Sequence, residues 1–404
     1  MRRQCLSSPR MTLIFKICIR FSPFVLILYG VYFVIILNDI PQTWPRNQTR
    51  DVTKLIQPKD ENTFTIVPNS ICDDMKKEFL LLIVVTSAVQ NSEKRQIIRD
   101  TWGKKINDDI KLIFLVGEPS NDINLQTKVF NEQQEMGDLL QGTFIDSYYN
   151  LTIKSLFMLK WFNSSCVKRR VKYLMKVDDD VYVNVQELEN MVNENKKLNM
   201  LIGSIHCGAQ PMTHGKWYAP PHMLTEIQKN TYPNFLSGTA YVMSSSTAEA
   251  LYKTSITVPA FHLEDVYITG ILPTYYNLFL YKNTLEAQLS SNQESSIHDK
   301  EIHPTNDGRF HINKVKNDPC QYASLISSHE LEPLEFLQVH KQLENLKTDY
   351  CRKRYIPQDT YGKDTYEKIH TSYKTNKFCT PKSTMLWGKG ECCGYIEYYL
   401  NNWM

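Results

Sequence analysis

The stretch VKYLMKVDDDVYVN, residues 171–184, decides how the rest of the chain is read. Its first seven residues form a mostly apolar run that suits a buried strand. The strand ends in three consecutive carboxylates, Asp178, Asp179 and Asp180, followed by a second short apolar run and Asn184. Acids crowded at a strand end repel one another by roughly a few kcal/mol unless a cation or hydrogen-bond donors offset them. Alternation along extended backbone puts Asp178 and Asp180 on one face and Asp179 on the other. Oxygen ligands of this kind suit a hard divalent cation such as Mg2+ or Mn2+, shared with phosphate oxygens. The string therefore reads either as an Asp-x-Asp metal–diphosphate site or as a solvated acidic turn before a helix, and on its own it favours neither.

Working outward, FLLLIVVTSA (79–88) and IKLIFLVG (110–117) are branched, continuous apolar runs of the type found in strands covered on both faces. MLIGSI (200–205) and TAYVMS (239–244) are further strand candidates. Helical segments fall between them. Residues 92–102 start at a capping Ser92, residues 151–162 space Ile153, Leu156, Phe157 and Trp161 for one helix face, and residues 184–197 start at Asn184 with Glu187 as capping-box partner. Residues 245–254 are similar. This alternation predicts an α/β fold with a mostly parallel sheet, whose ligands sit beyond the carboxyl ends of the strands.

Three other groups can carry chemistry. Glu264 and Asp265 open an apolar helix, where the macrodipole favours acids and where one of them can also act as a general base. Arg95 and Arg99, four residues apart on one helix face, suit an anionic diphosphate, although a solvated basic face is the plainer explanation. The aromatic run Lys216-Trp217-Tyr218 offers rings for the weakly polar face of a sugar, or simply core.

The 404 residues are 42% hydrophobic and 22% charged, a composition that excludes wholesale disorder. The formal charge of +3 comes from the first 37 residues, which hold Arg2, Arg3, Arg10, Lys16 and Arg20 and no acid. The remainder has 41 basic and 43 acidic residues, so nothing marks a nucleic-acid partner. Residues 21–37 are uncharged and mostly apolar, with all five cations before them. They read as a single-pass type II anchor, with residues 1–20 cytoplasmic and everything after Asn38 lumenal; a cleaved signal peptide is disfavoured by the lack of a small-x-small site. Residues 38–78 are a polar, Pro-containing stem, 79–345 the catalytic domain, and 346–404 a Cys- and Tyr-rich extension. The eight Cys after the anchor suit disulfides in an oxidising compartment, with no pairing assigned. Three N-glycosylation sequons begin at Asn47, Asn150 and Asn163.

Read in order, Arg95-Gln-Ile-Ile-Arg99-Asp-Thr-Trp102, Phe114-Leu-Val-Gly117, Asp146-Ser-Tyr-Tyr-Asn150-Leu-Thr-Ile-Lys154, Lys176-Val-Asp-Asp-Asp180, Lys216-Trp-Tyr218, Tyr232-Pro-Asn-Phe-Leu-Ser-Gly238 and Glu264-Asp-Val-Tyr267 form one series. It resembles the β-1,3-galactosyltransferase family, which includes β-1,3-N-acetylglucosaminyltransferases, from about residue 79 to about 345. The resemblance implies a glycosyltransferase-A, Rossmann-like lumenal domain in the Golgi membrane, an inverting transfer from a UDP-sugar, and a bound Mn2+ or Mg2+. UDP-galactose is the implied donor, with UDP-N-acetylglucosamine the alternative, and the acceptor is a glycan on glycoprotein or glycolipid. By the same resemblance Asp178, Asp180 and His329, in Leu325-Ile-Ser-Ser-His329, hold the metal, and Arg95, Arg99, Asp178 and Asp179 line the nucleotide. Asp265 is then the base, and Trp217, Tyr218 and Glu264 border the sugars. A lumenal binding protein derived from a transferase, or a Ca2+-binding lectin-like domain, is the reading from another class.

Overall fold

The computed structural model describes residues 63–69, 78–165, 170–195, 197–224, 230–291, 300–315, 318–346 and 351. In chain order its strands are β1 (Phe64–Ile66), β2 (Phe79–Thr86), β3 (Ile110–Glu118), β4 (Leu139–Ile145), β5 (Val171–Asp178) and β6 (Tyr182–Val183). They continue with β7 (Leu201–His206), β8 (Phe235–Ser244), β9 (Thr305–Asn306), β10 (Phe310–His311) and β11 (Ser327–Ser328). Eight of them form one sheet in the order β1-β4-β3-β2-β5-β8-β7-β9, and β10-β11-β6 form a small second sheet.

The expected α/β layering is present, with one difference in strand direction. Strands β4, β3, β2 and β5 run parallel, whereas β8 is antiparallel to both β5 and β7. The fold is therefore mixed α/β, and its sheet is mostly parallel only up to β5. The reversal occurs beside the Asp triplet, so the carboxyl end of β5 opens at a change of topology, where ligands collect in open α/β sheets.

The helices are α1 (Ser92–Asp100), α2 (Ile123–Met136), α3 (Leu151–Ser164), α4 (Val185–Glu194) and α5 (Ser245–Ser255). A short α6 (Glu264–Val266) passes through a π-helical segment, Tyr267–Ile271, into α7 (Leu272–Ser291), and α8 (Pro319–Ser324) and α9 (Pro333–Glu344) follow. Two caps expected from sequence differ in their fate. Asn184 caps α4 by accepting from the Glu187 N–H, but α4 stops at Glu194. At α1 the residue in the N-cap position is Asn91 rather than Ser92, and its side chain makes no cap bond because it donates to Asp179.

Alternation splits the core into two layers. Leu82, Val84 and Leu174 pack on α3, α5 and the segment 258–272, while Leu81, Ile83, Val85, Met175 and Val177 pack towards α1, α4 and α9. These side chains are fully buried, and each contributes about 1.5–3 kcal/mol of hydrophobic stabilisation. The layers matter for the site because they carry on past the last strand residue: Lys176 and Asp178 share the side of Leu174, and Asp179 that of Met175 and Val177.

Cys320 is joined to Cys351, so the first part of the C-terminal extension is tied to the domain, and Cys207 is disulfide-bonded as well. Among the described residues no helix is long and apolar enough to cross a membrane. The anchor expected at 21–37, most of the stem, the sequon at Asn47 and most of the extension lie outside the described residues.

Candidate active site

Asp178 is the last residue of β5 and pairs in register with Thr86, the last of β2. Its Oδ1 accepts from Thr86 Oγ1 at 2.7 Å and from Lys176 Nζ at 2.5 Å. Asp179 turns to the opposite side, as alternation requires. One of its oxygens accepts from Ser87 Oγ (2.7 Å), Asn91 Nδ2 (2.9 Å) and the Ala88 N–H (3.3 Å), and Lys94 stands 3.5 Å from the other. Such saturation makes Asp179 an anchor for the loop after β2. Its carboxylate, expected at the nucleotide, is turned to these protein donors.

Asp180 differs from both. Its Oδ1 is buried and has no hydrogen-bond partner, yet His329 Nε2 lies 3.3 Å away. The approach follows from strand pairing, because Ser328 is opposite Tyr182 and the Leu331 N–H donates to the Asp180 carbonyl. Between them Glu330 adopts φ 64°, a left-handed conformation that costs a non-glycine residue of order 1–2 kcal/mol. His329 Nδ1 lies 3.2 Å from the Ile312 carbonyl. A carbonyl only accepts, so Nδ1 carries a proton, and Nε2 is the ring atom that faces Asp180 as an ion pair.

A buried Asp180 oxygen without a hydrogen bond, facing His329 Nε2, offers one oxygen and, once His329 loses its proton, one nitrogen to a divalent cation. Among the described residues no three His, Cys, Asp or Glu side chains come together as a ligand set. Asp178 stands aside, on Lys176 and Thr86. Burial works against ionisation of both Asp180 and His329, and their mutual attraction outweighs it, holding Asp180 below and His329 above its usual range.

Opposite this strand end, Glu264 and Asp265 begin α6. Glu264 is buried, and its Oε1 accepts from Ser155 Oγ (2.6 Å) and Tyr241 Oη (2.7 Å), while Oε2 stands 4.0 Å from Lys176. Of the expected sugar-bordering residues, Glu264 turns both oxygens to protein groups. Asp265 remains partly exposed and accepts from the Val266 N–H at 2.8 Å. Burial pushes its carboxyl above the usual carboxylate range, against the pull of neighbouring N–H groups and Lys176. A carboxylate held in this way is a stronger base. The π-helical turn that follows is pinned to β8, since the Leu236 N–H donates to Thr269 Oγ1 and Thr269 Oγ1 donates to the Asp265 carbonyl.

Arg95 and Arg99 are not at this site. Arg95 is fully buried and donates to Glu132 at 2.6 and 2.8 Å, to Ser87 Oγ and to the Ala88 carbonyl. Arg99 donates to Glu132 and, with two nitrogens, to Asp138, each at 2.8 Å, and its guanidinium lies over Phe114. The structure turns these two arginines, expected to line the nucleotide, to protein partners: they brace α1 and the loop whose Ser87 holds Asp179.

The third side is aromatic. Trp217 is 49% exposed and donates from Nε1 to Tyr148 Oη at 3.2 Å, and Lys216 Nζ sits 4.3 Å over the Tyr148 ring. Burial, with Asp265 and Asp178 in electrostatic reach, pushes the Tyr148 phenol up to about 12. Tyr218 is partly buried, and its carbonyl lies 2.7 Å from His262 Nε2, so its backbone supports the turn that presents Trp217.

Sequence reasoning assigned no role to Lys176, Tyr148 or Lys154. Lys154 is buried in an ion pair with Asp146 (2.7 Å), whose other oxygen collects the Gly117 and Val89 N–H groups. The available signal was the same for both lysines, a charged residue at a position that periodicity assigns to the core.

Residues 93–283 match the Galactosyltransferase family model. Over 305 residues the chain is 30% identical to Beta-1,3-galactosyltransferase 2 of Homo sapiens, a match covering 73% of this chain and 65% of that protein. It is 29% identical over 302 residues to Beta-1,3-galactosyltransferase 1 of Mus musculus, covering 73% of this chain and 83% of that protein. The solved apo structure of the WbbM bifunctional glycosyltransferase covers 71% of this chain and 52% of its own, but at 8% identity and a TM-score of 0.36 the likeness carries no argument. Residues 93–283 match the galactosyltransferase family model, and the chain is similar to β-1,3-galactosyltransferases over 73% of its length.

Proposed function

We propose that the chain is an inverting, metal-dependent glycosyltransferase of the glycosyltransferase-A type, moving galactose from UDP-galactose to a hydroxyl of a glycan acceptor in β-1,3 linkage. The observation that carries this reading is the Asp180 oxygen, buried without a hydrogen bond beside His329 Nε2, with the free base Asp265 on the opposite wall.

Asp180 and His329 would hold Mn2+ or Mg2+, with Asp178 at the margin. When bound, such an ion offsets the negative charge that develops on a diphosphate leaving group. Asp265 accepts the proton of the acceptor hydroxyl, a task for which burial has strengthened it. Attack from the face opposite the leaving group inverts the anomeric carbon, and because the leaving diphosphate needs no proton, no second carboxylic acid is required. Trp217 and Tyr148 form the wall on which a sugar ring can rest. Relatives named as β-1,3-galactosyltransferases support galactose as the transferred sugar. The Arg- and Lys-preceded apolar segment 21–37 and the disulfides support a type II Golgi protein with this domain in the lumen.

The test is transfer by the full chain in detergent, with UDP-galactose and UDP-N-acetylglucosamine, Mn2+ and a panel of terminal sugars. Metal-dependent galactose transfer, lost in Asp180→Ala, is the expected result. Transfer of N-acetylglucosamine instead would reassign the donor. Folded protein with no turnover of either donor would favour a binding protein.

A further inference from the structure

Strand β5 carries a lysine where its neighbours in the fold are core residues. Lys176 is 3% exposed, and burying an unpaired ammonium costs several kcal/mol, so its surroundings must compensate. They do so from two elements. On its own strand Nζ lies 2.5 Å from Asp178 Oδ1, and across the sheet it donates to the Gly238 carbonyl of β8. Glu264 Oε2 stands 4.0 Å away.

Gly238 extends the connection. Its N–H is directed at the Asp265 carboxylate, while its carbonyl takes the lysine. A Cβ at this position would lie 3.1 Å from Glu264 Oε2 and 3.4 Å from Asp265 Cβ, so a bare backbone is what lets the acidic pair come this close to β8. Ser155 and Tyr241 grip the other Glu264 oxygen. One ammonium therefore bears on Asp178 at the strand end and on both acids of α6.

We infer that Lys176 is the positioning residue that sets the spacing and charge balance between Asp178 and the Glu264–Asp265 pair, coupling the donor side of the site to the base. This rests on the transferase reading above. Three carboxylates share this one cation, and like charges at such distances repel unless balanced. Without it the strand end and the helix start move apart. Misplacing reacting groups by about 1 Å costs on the order of 100-fold in rate.

The full chain in detergent, assayed with UDP-galactose and UDP-N-acetylglucosamine, Mn2+ and the acceptor panel, tests this through kcat and the KM of donor and acceptor separately. The variants are Lys176→Met, Glu264→Gln and the double variant, with the exposed Lys253→Met as control and thermal melting as a check on folding. Lys176→Met is expected to lower kcat about 100-fold and to raise the donor KM. The double variant, having lost the cation and one acid it balances, should recover about tenfold in kcat over Lys176→Met, a non-additivity that general loss of structure would not produce. Kinetics within about twofold of the unaltered chain in a folded Lys176→Met, or losses in the double variant that simply multiply, overturn the inference. Should Lys176→Met not fold, Glu264→Gln decides: a lower kcat with a shifted donor KM supports the coupling, and unchanged kinetics overturn it. Inactivity of the unaltered folded chain with both donors overturns the transferase reading itself, and is told apart because the variants play no part in it.

Discussion

On the α1 side of the sheet, two acids, Glu132 and Asp138, face two bases, Arg95 and Arg99, through five hydrogen bonds of 2.6–2.8 Å. Across the carboxyl end of β5, three acids, Asp178, Glu264 and Asp265, share Lys176, and Asp180 keeps an oxygen with no hydrogen bond. Both clusters are rich in charge and largely buried, so burial does not tell them apart. The balance does. A cluster in which every charge is matched can only hold the fold together. One with surplus acid and an oxygen outside any hydrogen bond has capacity left for a ligand, and that is where chemistry is to be sought.

The largest expected effect falls on the unbalanced side. Asp265→Asn should lower transfer by about 10²–10⁴-fold, the usual worth of a positioned base, with the chain still folded. Activity of the unaltered chain should fall as acid protonates Asp265, and because burial raises this group, the acidic limb should lie above the ordinary carboxylate range. A pH–rate profile of kcat/KM checks both position and sign.

Next in size is the balanced side. Arg95→Met strands Glu132 beside a half-matched Arg99 and should cost about 3–5 kcal/mol of stability, read by denaturant unfolding, with a rate loss no larger than the loss of folded protein explains. Comparable stability in this variant would break the contrast between the two clusters.

A finer test uses the opposite signs of the two clusters in linkage. Although burial opposes it, pairing with Arg95 and Arg99 holds Glu132 below its usual range. Its contribution is therefore fully present above the unfolded value near pH ~4.3 and is lost as pH falls through the lower folded value. Asp265 is raised, so the folded state binds the extra proton, and stability falls as pH climbs from the unfolded to the folded value. Melting temperatures should show Glu132→Gln less stable than the unaltered chain at neutral pH, with the gap closing in acid. They should show Asp265→Asn more stable at neutral pH. A shared sign in the two variants would refute the assignment.

The smallest effect is at the aromatic wall. Trp217→Ala should raise the acceptor KM by about tenfold, in line with the worth of one ring contact, while leaving the melting temperature near its original value because the ring is half exposed. Steady-state kinetics with the acceptor varied measure it.

Much of this organisation was legible in the residues. FLLLIVVT and VKYLMKV read as buried strands from their length, branched apolar residues and the polar stretches that bound them. Alternation then separated Asp179 from its neighbours. The short strands β1 and β9–β11 escaped notice because two or three residues carry no period, and β4 because Gly142 and Gln141 interrupt it. The antiparallel turn of β8 was equally hidden, since direction depends on pairing across the sheet.

The site divided along the same line. Residue types and their order are enough to supply the acids, the candidate base, the aromatic run and the family model that residues 93–283 match. They cannot tell a nucleotide-binding arginine from a bracing one, because Arg95 and Glu132 lie 37 positions apart and meet only through packing. The same holds for Glu264, whose partners Ser155 and Tyr241 arrive from α3 and β8. Charge is a property of the residue, and sequence alone determines it. Whether that charge is matched depends on distance in space, and only the tertiary structure decides it.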